Sequence, residues 1–171
     1  MMRFHLLAAS LLAATLILPP APAGAGSSWR SWDAGLQAAG ASGRPVLVDV
    51  YTDWCGWCKR MDRDVYARRD VQEYLARKFV AVKLNAESNE TARYRGQTLT
   101  ARALASQFGV SGYPTTIFLS PTGAYLGNVP GYTGPEKFLQ LLRYIGDGHM
   151  EQGESFEDFQ RGSKVPGTGG R

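Results

Sequence analysis

Cys55 and Cys58, with Gly56 and Trp57 between them, are the only two cysteines in the chain. A pair at this spacing can close a small disulfide and reopen it. The thiolate is the attacking species in disulfide exchange. A helix N-terminus favours that form through its macrodipole and its free backbone N–H groups. Such a terminus is expected here: Val46-Leu47-Val48-Asp49-Val50-Tyr51 is an apolar, β-branched run, and a helical pattern begins at the cysteines. Redox exchange is therefore the chemistry this pair is best placed to perform. A structural disulfide gains most by closing a long loop, and this loop is short. A structural zinc site needs about four ligands, and the chain has two Cys and two His, with His5 in a segment expected to be removed. A haem attachment motif needs His directly after the second cysteine, where Lys59 stands. Inert or metal-binding thiols are the alternatives.

The N-terminus bears on where such chemistry would run. Arg3 gives a short positive start, Leu6 to Leu18 an apolar stretch, and Ala23-Gly24-Ala25 a small-residue cleavage site. Residues 1–25 are thus expected to be a signal peptide, with residues 26–150 as one domain and 151–171 as a polar, partly disordered extension. The apolar stretch is short for a bilayer span of roughly twenty residues. An exported, soluble protein of a periplasm-like space is expected, where disulfides can persist. The formal charge of +4, less Arg3 after cleavage, is too small to argue for nucleic acid. Lys59, Arg60, Arg63, Arg68 and Arg69 are interleaved with Asp62, Asp64 and Asp70, which reads as a solvated helix face or a surface that steers an acidic partner.

The elements that must position the cysteines follow from the hydrophobic pattern. Ser31 to Ala39 predicts a first helix capped by Ser31, and Gly40 to Pro45 a link into the Val46–Tyr51 strand. A helix follows Cys55 through Met61 and Val65. A second helical piece starts at Asp70, where Asp70 and Glu73 resemble a capping box. Phe79 to Leu84 is the next strand, so a βαβ unit with parallel strands is predicted. Residues 85–100 read as polar and irregular. A helix is predicted over about residues 101–108, a strand at Thr115–Leu119, and an antiparallel strand at Tyr125–Val129. A last helix opens near Thr133-Gly134-Pro135-Glu136, with Phe138, Leu141, Leu142 and Ile145 on one face. Phe156 to Phe159 reads as one further helical turn.

This order, with Cys-x-x-Cys after the first strand of the βαβ unit, resembles the thioredoxin fold over roughly residues 29–146. The resemblance implies an α/β fold with a central mixed sheet, the βαβ unit plus an antiparallel β-hairpin, flanked by helices. Tyr113-Pro114 stands where the family places a cis-proline facing the disulfide. It implies a substrate-binding backbone at Gly112 and Tyr113, with Trp54 beside it. Asp49 matches the family's buried carboxylate beneath the second cysteine, and Lys83 the lysine near that acid. The resemblance makes Asp49 the acceptor of the Cys58 proton, and an ordinary ion pair at a sheet end is the other reading. Trp54 also matches, as an indole that packs over the disulfide. The chain departs from thioredoxin in having Gly56-Trp57 between the cysteines and no proline in the following helix. There it is more similar to the exported thioredoxins of sulfur-oxidation accessory type and to the thioredoxin-like domain of DsbD-type reductases.

The resemblance implies a catalytic set of Cys55, Cys58, Asp49 and Pro114, supported by Lys83, Trp54 and Trp57. In the implied cycle an exposed Cys55 thiolate attacks a substrate disulfide, and Cys58 resolves the mixed disulfide. Trp57 brings no charge to hold the thiolate and Asp49 opposes it, which favours a reductant. No nicotinamide or flavin fingerprint is present, so no cofactor and no metal is expected. Reduction would come from a membrane-embedded electron donor of the DsbD type, and the substrates would be protein disulfides or thiols met by a monomer. An exported oxidase or isomerase and a non-catalytic binding module are the competing functions.

Overall fold

The computed structural model describes residues 28–163. The signal peptide expected over residues 1–25 and the last eight residues of the expected C-terminal extension lie outside them. Helix α1 (Trp32–Ser42) leads into strand β1 (Val46–Tyr51). Helix α2 (Gly56–Met61) starts at the cysteines and continues as a π-helical turn (Asp62–Tyr66), followed by α3 (Arg69–Lys78) and β2 (Val80–Asn85). A small hairpin of β3 (Thr91–Tyr94) and β4 (Gln97–Thr100) precedes α4 (Ala101–Gln107). Strands β5 (Thr115–Leu119) and β6 (Tyr125–Pro130) lead to α5 (Pro135–Gly146) and α6 (Phe156–Ser163).

Four strands form one mixed sheet in the order β2-β1-β5-β6, with β1 parallel to β2 and antiparallel to β5. Strands β5 and β6 make the antiparallel hairpin. This is the mixed α/β architecture expected from the sequence. Because strand side chains alternate, β1 sends Val46, Val48 and Val50 to one core and Leu47 to the other. The first core also holds Trp32, Val82, Ile117, Leu104 and Tyr94, so α1, α4 and the small hairpin cover that face. The second holds Met61, Val65, Leu75, Phe118, Phe138 and Leu142, covered by α2, α3 and α5. Full burial of Phe138 or Leu142 contributes about 1.5–3 kcal/mol each. Asp49 shares its parity with Leu47 and therefore faces the layer that carries α2.

Several boundaries differ from the sequence reading. Helix α1 runs on through Gly40 and stops only where Gly43 takes φ of 66°, and the Ser31 side chain makes no capping bond. Asp33 is instead turned to Arg93 of β3, accepting its backbone N–H at 2.8 Å. Asp70 and Glu73 form no capping box: Asp70 holds Arg68 and Glu73 holds Arg69, each at 2.7 Å. Residues expected to be irregular contain the β3–β4 hairpin, whose two central residues, Arg95 and Gly96, both have positive φ. That is the twist a two-residue hairpin loop requires. Phe156 begins an eight-residue helix rather than one turn. It packs on α5 through Tyr144, with Phe156 and Phe159 at ring distances of 5.3 and 5.7 Å.

The close approach of α1 to β2 depends on Gly35. A Cβ there would lie 2.1 Å from Val82 Cγ2, and Val82 is fully buried. Gly35→Ala is expected to lower stability by about 1–3 kcal/mol through overpacking, read as a shift of the urea midpoint at unchanged slope.

Candidate active site

Cys55 occupies the N-cap position of α2, and its sulfur accepts the backbone N–H of Cys58 at 3.0 Å. The extended backbone of Cys55 lets β1 end and the helix begin within five residues. The two cysteines are joined as a disulfide with Cα atoms 5.3 Å apart. Cys55, expected to be exposed, is not: it is 4% exposed and Cys58 is 3%. Each cysteine in this oxidised form is covered in part by its partner's sulfur, and Cys58 sits on the inner face of α2. Exposure belongs to the indoles instead. Trp54 is 67% exposed and Trp57 54%, so Trp54 does not act as a packed lid.

Trp54 is held at the rim by two contacts. Its Nε1 donates to Glu87 at 3.0 Å, and its ring meets Tyr113 edge-on at 6.0 Å. The Tyr113–Pro114 peptide bond is cis. Pro114 is buried, Gly112 is exposed, and the Gly112 carbonyl accepts the Thr115 hydroxyl at 2.8 Å. Among the described residues, no backbone hydrogen bond engages Tyr113. Trp57 lies on the other flank, 5.6 Å from the Tyr132 ring.

Beneath α2, Asp49 is 1% exposed. In the sheet register it lies between Lys83 of β2 and Thr116 of β5. Its Oδ2 meets Lys83 Nζ at 2.6 Å, while Oδ1 has no hydrogen-bond partner. Burial raises the Asp49 pKa above its ordinary value, and the Lys83 charge offsets only part of that. Burial works against the Lys83 charge, yet Asp49 and Asp62 together hold its pKa above the ordinary lysine value. Tyr66, fully enclosed nearby, has its pKa raised by burial first and by the Asp49 charge second.

Two features of this cluster were not found by sequence reasoning. Asp62, read as part of a solvated helix face, brings Oδ1 to 2.5 Å from Lys83 Nζ. It does so from the first residue of the π-helical turn, a local form that often marks functional positions. Its place four residues after Cys58, on the same helix face, was the available signal. The second is the aromatic cover over Lys83. The Trp29, Tyr51 and Tyr66 rings lie 4.8, 5.1 and 5.5 Å from Nζ. The backbone of Arg30 bridges to β2, accepting the Lys83 N–H at 3.1 Å. Lys83→Met would leave two carboxylates without their shared cation. It is expected to cost about 3 kcal/mol in urea unfolding, and to push the Asp49 pKa still higher.

Among the described residues there is no group of three or more His, Cys, Asp or Glu side chains able to hold a metal ion. Nor is any described helix long and apolar enough to cross a membrane.

Residues 32–146 match the family model described as a thioredoxin-like domain. Among curated proteins, the thiol:disulfide interchange protein DsbD of Ralstonia nicotianae is 36% identical over 112 residues, 65% of this chain and 17% of that protein. The protein of the same name from Escherichia coli strain K12 is 30% identical over 105 residues, 60% of this chain and 17% of its own length. The chain therefore spans 17% of the length of these curated relatives. Among solved structures, a thioredoxin from Thermus thermophilus superposes with a TM-score of 0.61 at 26% identity, covering 76% of this chain and 95% of that one. A thioredoxin-fold protein from Helicobacter pylori gives 0.63 at 22%, covering 71% and 81%, a likeness of fold.

Proposed function

The chain belongs to the thioredoxin-like domain family, and from that premise we propose that it is an exported thiol–disulfide oxidoreductase that reduces protein disulfides through Cys55 and Cys58. One observation carries the reading: a cysteine pair capped at a helix N-terminus stands over a buried carboxylate whose pKa is raised. Residues 1–25 would direct export and be removed. Residues 26–150 would carry the chemistry, and 151–171 would be an extension.

In the reduced protein Cys55, at the N-cap, is the thiolate that attacks. It forms a bond to one substrate sulfur and expels the other as a thiolate, which takes a proton from water. The substrate segment lies extended against Gly112 and Tyr113, where the free backbone groups of Tyr113 can pair with it, and against Trp54 and Pro114. Cys58 then gives its proton to Asp49 and attacks Cys55 Sγ. The Cys55–substrate bond breaks, the second substrate sulfur leaves, and the pair is oxidised as the substrate gains two electrons and two protons. Lys83 keeps Asp49 near its working protonation range. The spent disulfide needs a dithiol donor, and a membrane-embedded carrier of the DsbD type has the right chemistry.

The deciding experiment is a redox titration of residues 26–171 in thiol–disulfide buffers, read by the mass of alkylated cysteines. A midpoint below about −230 mV, towards thioredoxin at about −270 mV, is expected of a reductant. A midpoint near about −120 mV would make the protein an oxidant.

A further inference from the structure

Two aromatic pairs flank the disulfide, and their charged partners have opposite sign. On the Trp54 side the indole N–H is held by Glu87. Asp53 directly precedes Trp54 in the chain and adds a second carboxylate to that side. Asp53 accepts only a neutral Asn85 amide at 3.3 Å. The cation there is Arg102, which donates to the backbone of Glu87 rather than to a carboxylate. On the Trp57 side the Arg60 guanidinium lies 5.2 Å from the Trp57 ring centre and 5.4 Å from that of Tyr132. A shallow cleft opens between Gly56, Trp57 and Arg60. Arg60 and Arg63 share a single carboxylate, Asp64, and Lys59 is exposed beside them. Asp62, the other acid of that turn, is paired with Lys83 instead. The Trp57 flank thus keeps a surplus of positive charge, and the Trp54 flank a surplus of negative charge.

The geometry points to a charge-polarised docking groove across the disulfide, fitted to an extended cysteine-bearing segment of a partner protein with an acidic side chain on the Trp57 flank and a basic one on the Trp54 flank. The aromatic rings supply contact area on both sides of the partner cysteine. Trp57 and Tyr132 also hold the Arg60 side chain flat, so that little freedom is lost when a carboxylate meets it. Charge complementarity of this kind selects partners and their direction, more than it adds raw affinity. The inference rests on the reductase reading above, because the groove matters only if a partner cysteine must reach Cys55.

Two synthetic peptides of identical composition test it. Each has one cysteine and is presented as its own disulfide dimer. One carries Glu two positions before the cysteine and Lys two positions after, and the other carries them reversed. Net charge is equal, so long-range steering cancels. Single-turnover rate constants with the fully reduced protein should differ about fivefold between the two orders at about 20 mM salt, and converge at about 0.5 M. Arg60→Gln should narrow the difference, and the double variant Arg60→Glu with Glu87→Arg should invert it. Arg161→Gln, the same loss of one charge as Arg60→Gln but placed on α6, should keep the original preference. Equal rates for both orders in the unmodified protein would overturn the polarity while leaving the reductase reading intact. So would a preference that the double variant leaves unchanged. If neither peptide is reduced, the reductase reading fails and the groove falls with it.

Discussion

Cys58→Ala protein is expected to lose turnover of protein disulfides by roughly a thousandfold or more, while Cys55 still captures substrate as a stable mixed disulfide. The asymmetry follows from the local geometry. Cys55 is the N-cap residue and the chain neighbour of the exposed Trp54, so its position at the helix end, rather than its exposure in the oxidised form, makes it the attacking sulfur of the proposed cycle. Cys58 lies one turn into the helix on the buried side and can reach only Cys55. Without Cys58 the first exchange proceeds and the second has no attacking group. Non-reducing electrophoresis with a disulfide-bonded partner protein should show a mixed-disulfide band for Cys58→Ala and none for Cys55→Ala. The opposite pattern would reverse the roles of the two cysteines, and normal turnover by either variant would end the dithiol mechanism.

Asp49→Asn should slow the release of that mixed disulfide by about a hundredfold near neutral pH, with a much smaller effect on its formation. Stopped reactions quenched with acid and resolved by mass would separate the two steps. Asn cannot accept the Cys58 proton, so the rate of the variant should climb with pH as the thiol ionises unaided. The same substitution carries a stability signature of definite sign. The folded-state pKa of Asp49 lies above its ordinary value of 3.8. Its stabilising contribution is therefore complete below that ordinary value, and is lost as pH rises through the raised one. Lys83, whose pKa is raised from an already high 10.5, adds no slope in this range. Relative to the unmodified protein, Asp49→Asn should thus gain stability as the pH rises above the ordinary value of 3.8. Urea unfolding of both oxidised proteins measures this, and a parallel pH dependence would show that Asp49 is not buried as a strained acid.

The parts of the fold that could be read beforehand were those whose patterns are long or unambiguous. Val46–Tyr51 and Thr115–Leu119 are central strands buried on both faces, so their β-branched runs stand out. Asp49 stood out for the complementary reason, as a charge where that run permits none. The β3–β4 hairpin was missed because its strands are four residues long and its turn is Arg95-Gly96, without the Asn-Gly or Asp-Gly that usually signals one. At the site, both cysteines were legible from their spacing, and Asp49 and Lys83 through the family resemblance. Asp62 was not, since Arg60, Arg63 and Asp64 crowd it in sequence and make it look like one more surface charge. Only the π-helical turn and the Lys83 ammonium reveal that this one acid joins the Asp49 pair while staying half open to solvent. The exposure of Cys55 was misjudged because sequence position says nothing of how a disulfide covers its own sulfurs.

The strand carrying Lys83 is the outer strand of the sheet, and its outer side is bound by residues that precede the first helix. Arg30 takes the Lys83 N–H, and the Trp29 ring roofs the ammonium. The match to the family model begins only at Trp32. A chain trimmed to that boundary would keep every strand and both cysteines. It would nonetheless open the cation to water from the side, loosening its hold on Asp49. Trp29 and Arg30, which lie ahead of the family match, therefore act as a remote control on the buried acid.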